Sequence, residues 1–310
     1  MQYRPRSPCP LCKHTRVDIF YPPLSSKSTA YSPSGNAREQ GAIVRCKACT
    51  VIYKDPFPDS VTLKKGYEES IDEQYLALLP ERRATFAHVL STVEKYRTGG
   101  RILDVGCAEG TLLALAREHG WDVSGVEPNK HFVRWAKKNY NLKILQGSVY
   151  NAKLKKKSYD VITLLDVIEH VHDPQGFLRR CYDLLAPGGI IFISTPDIGS
   201  PIARIMRRRW FYILSIHVFY FTRQTLSNIL RKVGYIGIET HPYKLRTRLS
   251  YVTDKSRNYL GPLGSLFHTT VRSFGLGDKE MTYWLGQRMF VAHKVASRGN
   301  KRLFKHVNQK

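Results

Sequence analysis

Hydrophobic positions along the chain change their period at residue 101. Before it, Leu76, Leu79, Phe86, Val89, Leu90 and Val93 recur at helical spacing. They predict a helix over 72–97, ended by Thr98-Gly99-Gly100. After it, short apolar runs alternate with amphipathic segments. Arg101 to Val105 predicts a strand, and Gly110 to His119 a helix with Leu112, Leu113 and Ala116 on one face. Asp122 to Glu127 is the next strand and Asn129 to Tyr140 the next helix. Further strands are expected at 143–146, 159–165, 189–195, 235–240 and 288–294, and helices at 173–185 and 222–233. Pro187-Gly188-Gly189 reads as the stop of the first of these. This alternation predicts a mostly parallel sheet covered on both faces, with ligands at the carboxyl ends of the strands. Residues 246–287 separate the last two strands and read as an insertion, a lid or an oligomer contact.

The first sixty residues follow another pattern. Cys9-Pro-Leu-Cys12 and Cys46-Lys-Ala-Cys49 are two C-x2-C pairs, joined by a loop rich in Pro, Gly and Ser, and the run 42–45 reads as a strand leading into the second pair. Each turn points two thiolates at one ion, and two turns complete the four-sulfur shell zinc favours. A redox role needs one pair on a βαβ scaffold, which is absent here. A closed four-cysteine shell leaves no open position, so the metal is expected to be structural. Cys107 and Cys181 read as small buried hydrophobes.

Composition adds an asymmetry. The chain has 310 residues, 42% hydrophobic and 24% charged, as folded domains are. Its net charge is +24, and residues 200–310 hold 21 basic against only 4 acidic side chains. An acidic partner, if any, is expected there. Arg204, Arg207, Arg208 and Arg209 adjoin the aromatic run Trp210-Phe211-Tyr212, so residues 200–215 suit an anionic membrane surface, a polyanion such as RNA, or an acidic sugar. A solvated face with the aromatics in the core suits the pattern equally. No run approaches the ~20 apolar residues needed to cross a bilayer. The N-terminus lacks a secretory stretch, so a cytoplasmic chain, peripheral at the inner membrane face, is expected.

The loop after the first strand of the alternation carries the chemistry. Leu103-Asp104-Val105-Gly106-Cys107-Ala108-Glu109-Gly110 places small residues where a ligand can approach the backbone. Neither a pyrophosphate-binding G-x-G-x-x-G nor a P-loop is present. The acid before the first glycine suits a cofactor with an ammonium group and no phosphate, such as S-adenosylmethionine (SAM). Asp104 then lies at its amino-acid end, the backbone of Gly106, Cys107, Ala108 and Gly110 beside it, and Glu127 at its ribose.

Together with Gly125-Val-Glu-Pro128, Tyr159-Asp-Val-Ile-Thr-Leu-Leu-Asp-Val-Ile-Glu-His170 and Leu185-Ala-Pro-Gly-Gly189, this loop resembles the motif series of class I SAM-dependent methyltransferases. The resemblance covers roughly residues 72–295. It implies a Rossmann-like α/β fold with a seven-stranded methyltransferase sheet. The four cysteines and Asp55-Pro56-Phe57-Pro58 resemble the zinc-ribbon start of a subgroup that modifies sugars and other small metabolites. The implied organisation is a zinc-ribbon-like module at 1–60, a helical linker or lid at 61–98, a methyltransferase domain at 99–296 and a basic tail at 297–310. Two departures stand out. Ala108 replaces the usual middle glycine, and Ser148 stands where the family often has an Asp beside the adenine.

A hydroxyl acceptor must lose its proton, so a general base is expected. Asp166 ends the fourth strand and borders cofactor and acceptor alike. His170 is the first candidate base, as a group titrating near neutral pH. Resemblance adds His217 and Tyr220, with Asp197 a weaker candidate. An equal reading is that Glu169 and His170 pack and hydrogen-bond to fix their loop. No [DNS]-P-P-[YF] segment follows the fourth strand, which counts against base amine methylation, and no Pro-Cys pattern supports cytosine C5 chemistry. The expected acceptor is a hydroxyl on a small molecule, sugar or lipid-linked glycan. An RNA methyltransferase and a non-catalytic SAM-fold scaffold are the alternatives.

Overall fold

The structure is a computed structural model and describes residues 7–24, 41–59, 61, 76 and 78–296. Residues 25–40, most of 61–77 at the start of the expected 61–98 linker, and the expected tail at 297–310 lie outside the described residues.

Thirteen strands and eight α-helices occur among the described residues. In chain order the strands are β1 (Val17–Tyr21), β2 (Ala42–Cys46), β3 (Ile52–Asp55), β4 (Arg101–Val105), β5 (Asp122–Glu127), β6 (Ile144–Gln146), β7 (Tyr159–Leu165), β8 (Leu185–Pro196), β9 (Phe219–Tyr220), β10 (Ile236–Pro242), β11 (Leu245–Arg248), β12 (Glu280–Tyr283) and β13 (Gln287–His293). The helices are α1 (Leu79–Glu94), α2 (Thr111–Glu118), α3 (Lys130–Tyr140), α4 (Pro174–Leu184), α5 (Pro201–Met206), α6 (Arg223–Val233), α7 (Leu249–Leu260) and α8 (Pro262–Ser273).

Seven strands form the central sheet in the order β10-β13-β8-β7-β4-β5-β6. Those from β8 to β6 are parallel, and β13 runs antiparallel to both neighbours. This is the Rossmann-like methyltransferase sheet. Chain order reverses between β4 and β7, so the loops after these strands share one crevice, where such sheets bind ligands. The apolar runs explain the strands: in β4, Ile102 and Leu103 are fully buried, as are Ile162 and Leu164 of β7. Local chemistry sets the helix ends. The Asn129 side chain accepts the His131 N–H at 2.9 Å to start α3. Thr222 and Thr225 bond reciprocally to start α6, and Gly234 ends it in the left-handed region.

Three sequence expectations change. β8 already begins at Leu185, so Pro187-Gly188-Gly189 is an irregular strand start rather than a helix stop; a Cβ on Gly189 would sit 2.9 Å from the Ala186 carbonyl oxygen. The 246–287 segment is itself structured, with α7 and α8 forming a hairpin between the paired strands β11 and β12. The aromatic run after the arginines belongs largely to the core. Trp210 and Ile213 are 1% exposed, and the Trp210 indole donates to the Leu285 carbonyl at 2.8 Å. They pack with Ile43, Ile52 and Tyr220, because apolar rings gain most by leaving water.

β1, β2 and β3 form a second sheet that β9 completes, with Ile52 opposite Tyr220 and Tyr53 opposite Phe219. The cysteine-bearing segment is thereby joined to the loop that carries His217. Among the described residues no helix is long and apolar enough to cross a membrane.

Candidate active site

A cavity of about 970 Å³ opens at the carboxyl ends of β4, β5 and β7. Small-molecule sites span roughly 300–1,000 Å³, so this one has room for a cofactor and an acceptor together.

Its floor is the glycine loop. Gly106 takes φ +74°, and a Cβ there would lie 2.7 Å from Val167 Cγ2, which requires glycine. Ala108 also takes a positive φ, +46°, a conformation L-residues adopt at a cost of about 1–2 kcal/mol. Its N–H donates to Glu127 Oε2 at 2.9 Å, while Glu127 Oε1 accepts the Asn129 N–H at 2.8 Å. The loop geometry is thus held by the acid at the end of the neighbouring strand. Gly110, at φ +82°, starts α2.

Gly106, Ala108, Ser148 and Asp166 line the cavity itself. Glu127 and Asp104 are buried just beneath it, and Cys107 packs its sulfur toward Gly125 in the core. Asp104 Oδ1 accepts from the Thr163 hydroxyl at 2.6 Å, yet burial pushes its carboxyl up to about 7. Asp166 takes φ +55°; Oδ1 accepts from Ser194 at 2.8 Å and from the Gln287 amide at 3.1 Å. Protein surrounds its carboxyl and raises it, although it keeps accessible surface toward the cavity. The Ser148 hydroxyl is turned to Asn151 Oδ1 at 3.2 Å.

One residue that the sequence reading missed completes this end. Arg82 of α1 reaches the cavity, with its charge acting on both Asp104 and Asp166 and its guanidinium 5.1 Å over the Phe86 ring. The signal was present: Leu78, Glu81, Arg82, Thr85 and Phe86 continue toward the N-terminus the same helical face that buries Val89, Leu90 and Val93 in the core, which puts Arg82 on the inward side. A cation opposite two acids fits the carboxylate and ammonium of an amino-acid end. Phe132, Val149, Pro128 and Tyr150 supply an apolar slot suited to a base. These residues therefore fit SAM, which supplies an electrophilic methyl on a sulfonium.

Two histidines and a glutamate stand further along. Nδ1 of His170 bonds the Ile216 carbonyl at 3.0 Å, and Nδ1 of His217 bonds that of Tyr212 at 2.8 Å. Both Nδ1 atoms must then carry the proton, leaving each Nε2 as an acceptor. Burial drives His170 down to about 4 and His217 well below its ordinary value. The expectation that His170 titrates near neutral pH is thereby corrected. Both rings, 4.9 Å apart, are neutral at pH 7. Glu169 Oε2 accepts from Thr195 at 3.0 Å, Oε1 is buried without a hydrogen-bond partner, and burial raises the carboxyl strongly. One carboxyl oxygen of Glu169 and one nitrogen of each imidazole lie within 4.8 Å, a set that can share a proton or hold a cation.

The other candidates lie elsewhere. Asp197 pairs with Arg288 at 3.0 Å, and the Tyr220 hydroxyl donates to the Leu214 carbonyl at 3.2 Å; neither lines the cavity. A second wall, joined to Asp166 through Gln287, consists of Tyr212, Tyr243, Tyr251 and Tyr283, with Thr247 and Gln287 among them. Thr247 Oγ1 and Gln287 Oε1 are buried there without a protein partner.

At the N-terminus, Sγ of Cys9 and Cys49, and of Cys12 and Cys46, lie 3.5 Å apart, and all four sulfurs lie within 4.8 Å. Tetrahedral zinc at about 2.3 Å from each sulfur needs separations of roughly 3.8 Å. The four cysteines close together therefore fit a small zinc module.

Residues 73–240 match the family described as "Methyltransferase domain". A ubiquinone biosynthesis O-methyltransferase of Coxiella burnetii is 30% identical over 183 residues, 52% of this chain and 76% of that protein. One from Vibrio cholerae is 34% identical over 103 residues, 31% of this chain and 42% of that protein. Among solved structures, a SAM-dependent methyltransferase of Archaeoglobus fulgidus aligns with a TM-score of 0.50 at 20% identity, covering 72% of this chain and all of that one. One from Thermotoga maritima aligns with 0.52 at 20% identity, covering 75% and 99%.

Proposed function

The chain belongs to the methyltransferase-domain family as a SAM-dependent methyltransferase, and on that premise we propose that it methylates a hydroxyl on a small ring-bearing molecule, a sugar or a phenol. The single observation that carries this reading is the continuity of one cavity. The glycine-loop side suits the cofactor, an adjoining wall carries four tyrosines, and His170 and His217 line the same space. Flat or sugar rings stack well on tyrosine faces. The C. burnetii relative is named as an O-methyltransferase, which favours oxygen as the acceptor atom.

Arg82 and Asp166 would hold the amino-acid end of SAM with Asp104 beneath them, the backbone of Gly106 and Ala108 would lie alongside, and Glu127, under the loop, would set that backbone beside the ribose. The tyrosine chamber presents the acceptor oxygen to the methyl carbon and keeps water out. A lone pair of that oxygen forms the new O–C bond as the S–C bond breaks, and S-adenosylhomocysteine (SAH) leaves. The hydroxyl proton passes to Nε2 of His217, which the Tyr212 carbonyl holds in the accepting tautomer. His170 and Glu169 position that imidazole. Zinc on Cys9, Cys12, Cys46 and Cys49 fixes β1–β3, and through β9 the His217 loop, and takes no part in the chemistry.

The test is transfer of labelled methyl from SAM to a panel of phenols and sugars, by wild type and His217→Ala. Methylated oxygen formed by wild type alone supports the reading. Transfer only to amines or to RNA contradicts it.

A further inference from the structure

Among the described residues, the α7–α8 hairpin leaves one apolar face without a partner. Leu263, Leu266 and Phe267 of α8, and Phe274 just beyond it, are 71%, 65%, 44% and 74% exposed. Their spacing of i, i+3, i+4 and i+11 places them on one side of the helix. Leu276, 43% exposed, follows in the next turn. A surface helix of a globular domain ordinarily turns such a stripe inward. Here the hairpin prevents it, because Gly264 and Val271 already occupy the packed side. A Cβ on Gly264 would lie 2.4 Å from the Ser256 carbonyl oxygen, so α8 meets α7 backbone to backbone and cannot roll.

The stripe is narrow. A twelve-residue helix is about 18 Å long and 10 Å wide, so its face covers roughly 200 Å², well below the roughly 800 Å² per partner that a stable protein interface buries. It is ample for a helix lying in a bilayer interface, whose apolar face sinks only about 5–10 Å. The surrounding charge selects the lipid. Over 245–283 the hairpin and its two strands carry six basic side chains (Arg246, Arg248, Lys255, Arg257, Arg272 and Lys279) against three acidic ones (Asp254, Asp278 and Glu280), a net charge of +3, and Arg257, Arg272 and Lys279 are exposed. Beside the arginine cluster, Trp210 and Ile213 are in the core, and Ile205, 82% exposed, stands without an apolar stripe around it.

We propose that α8 docks this protein on an anionic bilayer surface through Leu263, Leu266, Phe267 and Phe274. The consequence for the site is direct. Tyr251 of α7 and Thr247 and Tyr283 of the flanking strands line the acceptor end of the cavity. Docking sets that end beside the membrane interface, where an acceptor with an apolar tail is found. The docking itself does not depend on which acceptor is methylated.

The test is flotation of the full-length, zinc-loaded protein with vesicles of phosphatidylcholine alone or mixed with phosphatidylglycerol. Wild type is expected to float with the anionic vesicles, less so at high salt, and not with the neutral ones. Leu266→Glu/Phe267→Glu is expected to cut the bound fraction at least about tenfold, since two apolar side chains are removed from the lipid. Both positions are exposed and outside the cavity, and unchanged SAH binding by the variant shows that it is folded. Equal flotation with both vesicle types, no flotation, or flotation that persists in the folded variant overturns the proposal. So does a wild-type dimer in sedimentation that the variant converts to a monomer, because the stripe then belongs to a second copy.

Discussion

Glu127 Oε2 accepts the Ala108 N–H at 2.9 Å, tying the end of β5 to the one non-glycine residue of the cofactor loop that takes a positive φ. The carboxylate thereby shapes the loop as well as standing near the ribose. Glu127→Ala leaves the N–H groups of Ala108 and Asn129 unpaired in a buried setting, at roughly 1–3 kcal/mol each. The expected outcome in urea unfolding is a loss of about 2 kcal/mol or more, together with loss of SAH binding. Ala108→Gly relieves the positive φ and is expected to leave stability within about 1 kcal/mol of wild type.

Asp104 gives stability an unusual pH dependence. Its carboxyl lies near 7 in the folded chain against 3.8 when unfolded. Between those values the folded state binds more protons, so this group makes stability fall as pH rises from about 4 to about 7. Above pH 7 the cost is fully present, on the order of 4 kcal/mol. Asp104→Asn is expected to raise the melting temperature at pH 8 and to change it little at pH 4. The same variant is expected to lose SAH affinity. A melting temperature at pH 8 equal to or below that of wild type would count against a buried, costly carboxylate.

The two histidines lead to a kinetic expectation. With burial holding His170 near 4 and His217 well below its ordinary value, neither imidazole protonates near neutral pH. At saturating SAM, kcat is expected to show no acid limb near 6.5. His217→Ala is expected to lower kcat by about 10²-fold or more, with SAH affinity within about twofold of wild type. A limb at the ordinary histidine value would show that the rings are solvated during turnover.

Zinc content checks the N-terminal module. One zinc per chain is expected by elemental analysis, and less than a tenth of that in Cys9→Ser/Cys46→Ser. Because β9 pairs with β3, the variant is expected to lose stability beyond its first sixty residues, read as a lower melting temperature of the whole chain. A metal-free wild type with unchanged stability contradicts a structural role.

The elements of the fold that were legible in the sequence are those set locally. The strands at 101–105, 122–127 and 159–165 follow from their apolar runs, the first bounded by Gly100 and Gly106, and α3 and α6 follow from their caps. What escaped is set by partners distant in sequence. β9 is two residues long and exists because β3 lies beside it. β8 continues through Pro187-Gly188-Gly189 because Leu185 pairs with Tyr159. At the site, the acidic and glycine positions stand out through their spacing. The tyrosine wall combines residues 212, 243, 251 and 283, which no local pattern links. The ordinary value assigned to His170 failed because burial, invisible to a motif, decides the charge of an imidazole.

The central claim is that Arg82, the glycine loop and Glu127 form a SAM site in this cavity. Calorimetric titration of the zinc-loaded full chain with SAH, beside Arg82→Met, tests it most directly. The account predicts one site per chain, weakened at least about tenfold in Arg82→Met, as expected when a charge-assisted carboxylate contact is lost. No binding by well-folded wild type, or equal binding by the variant, would contradict it.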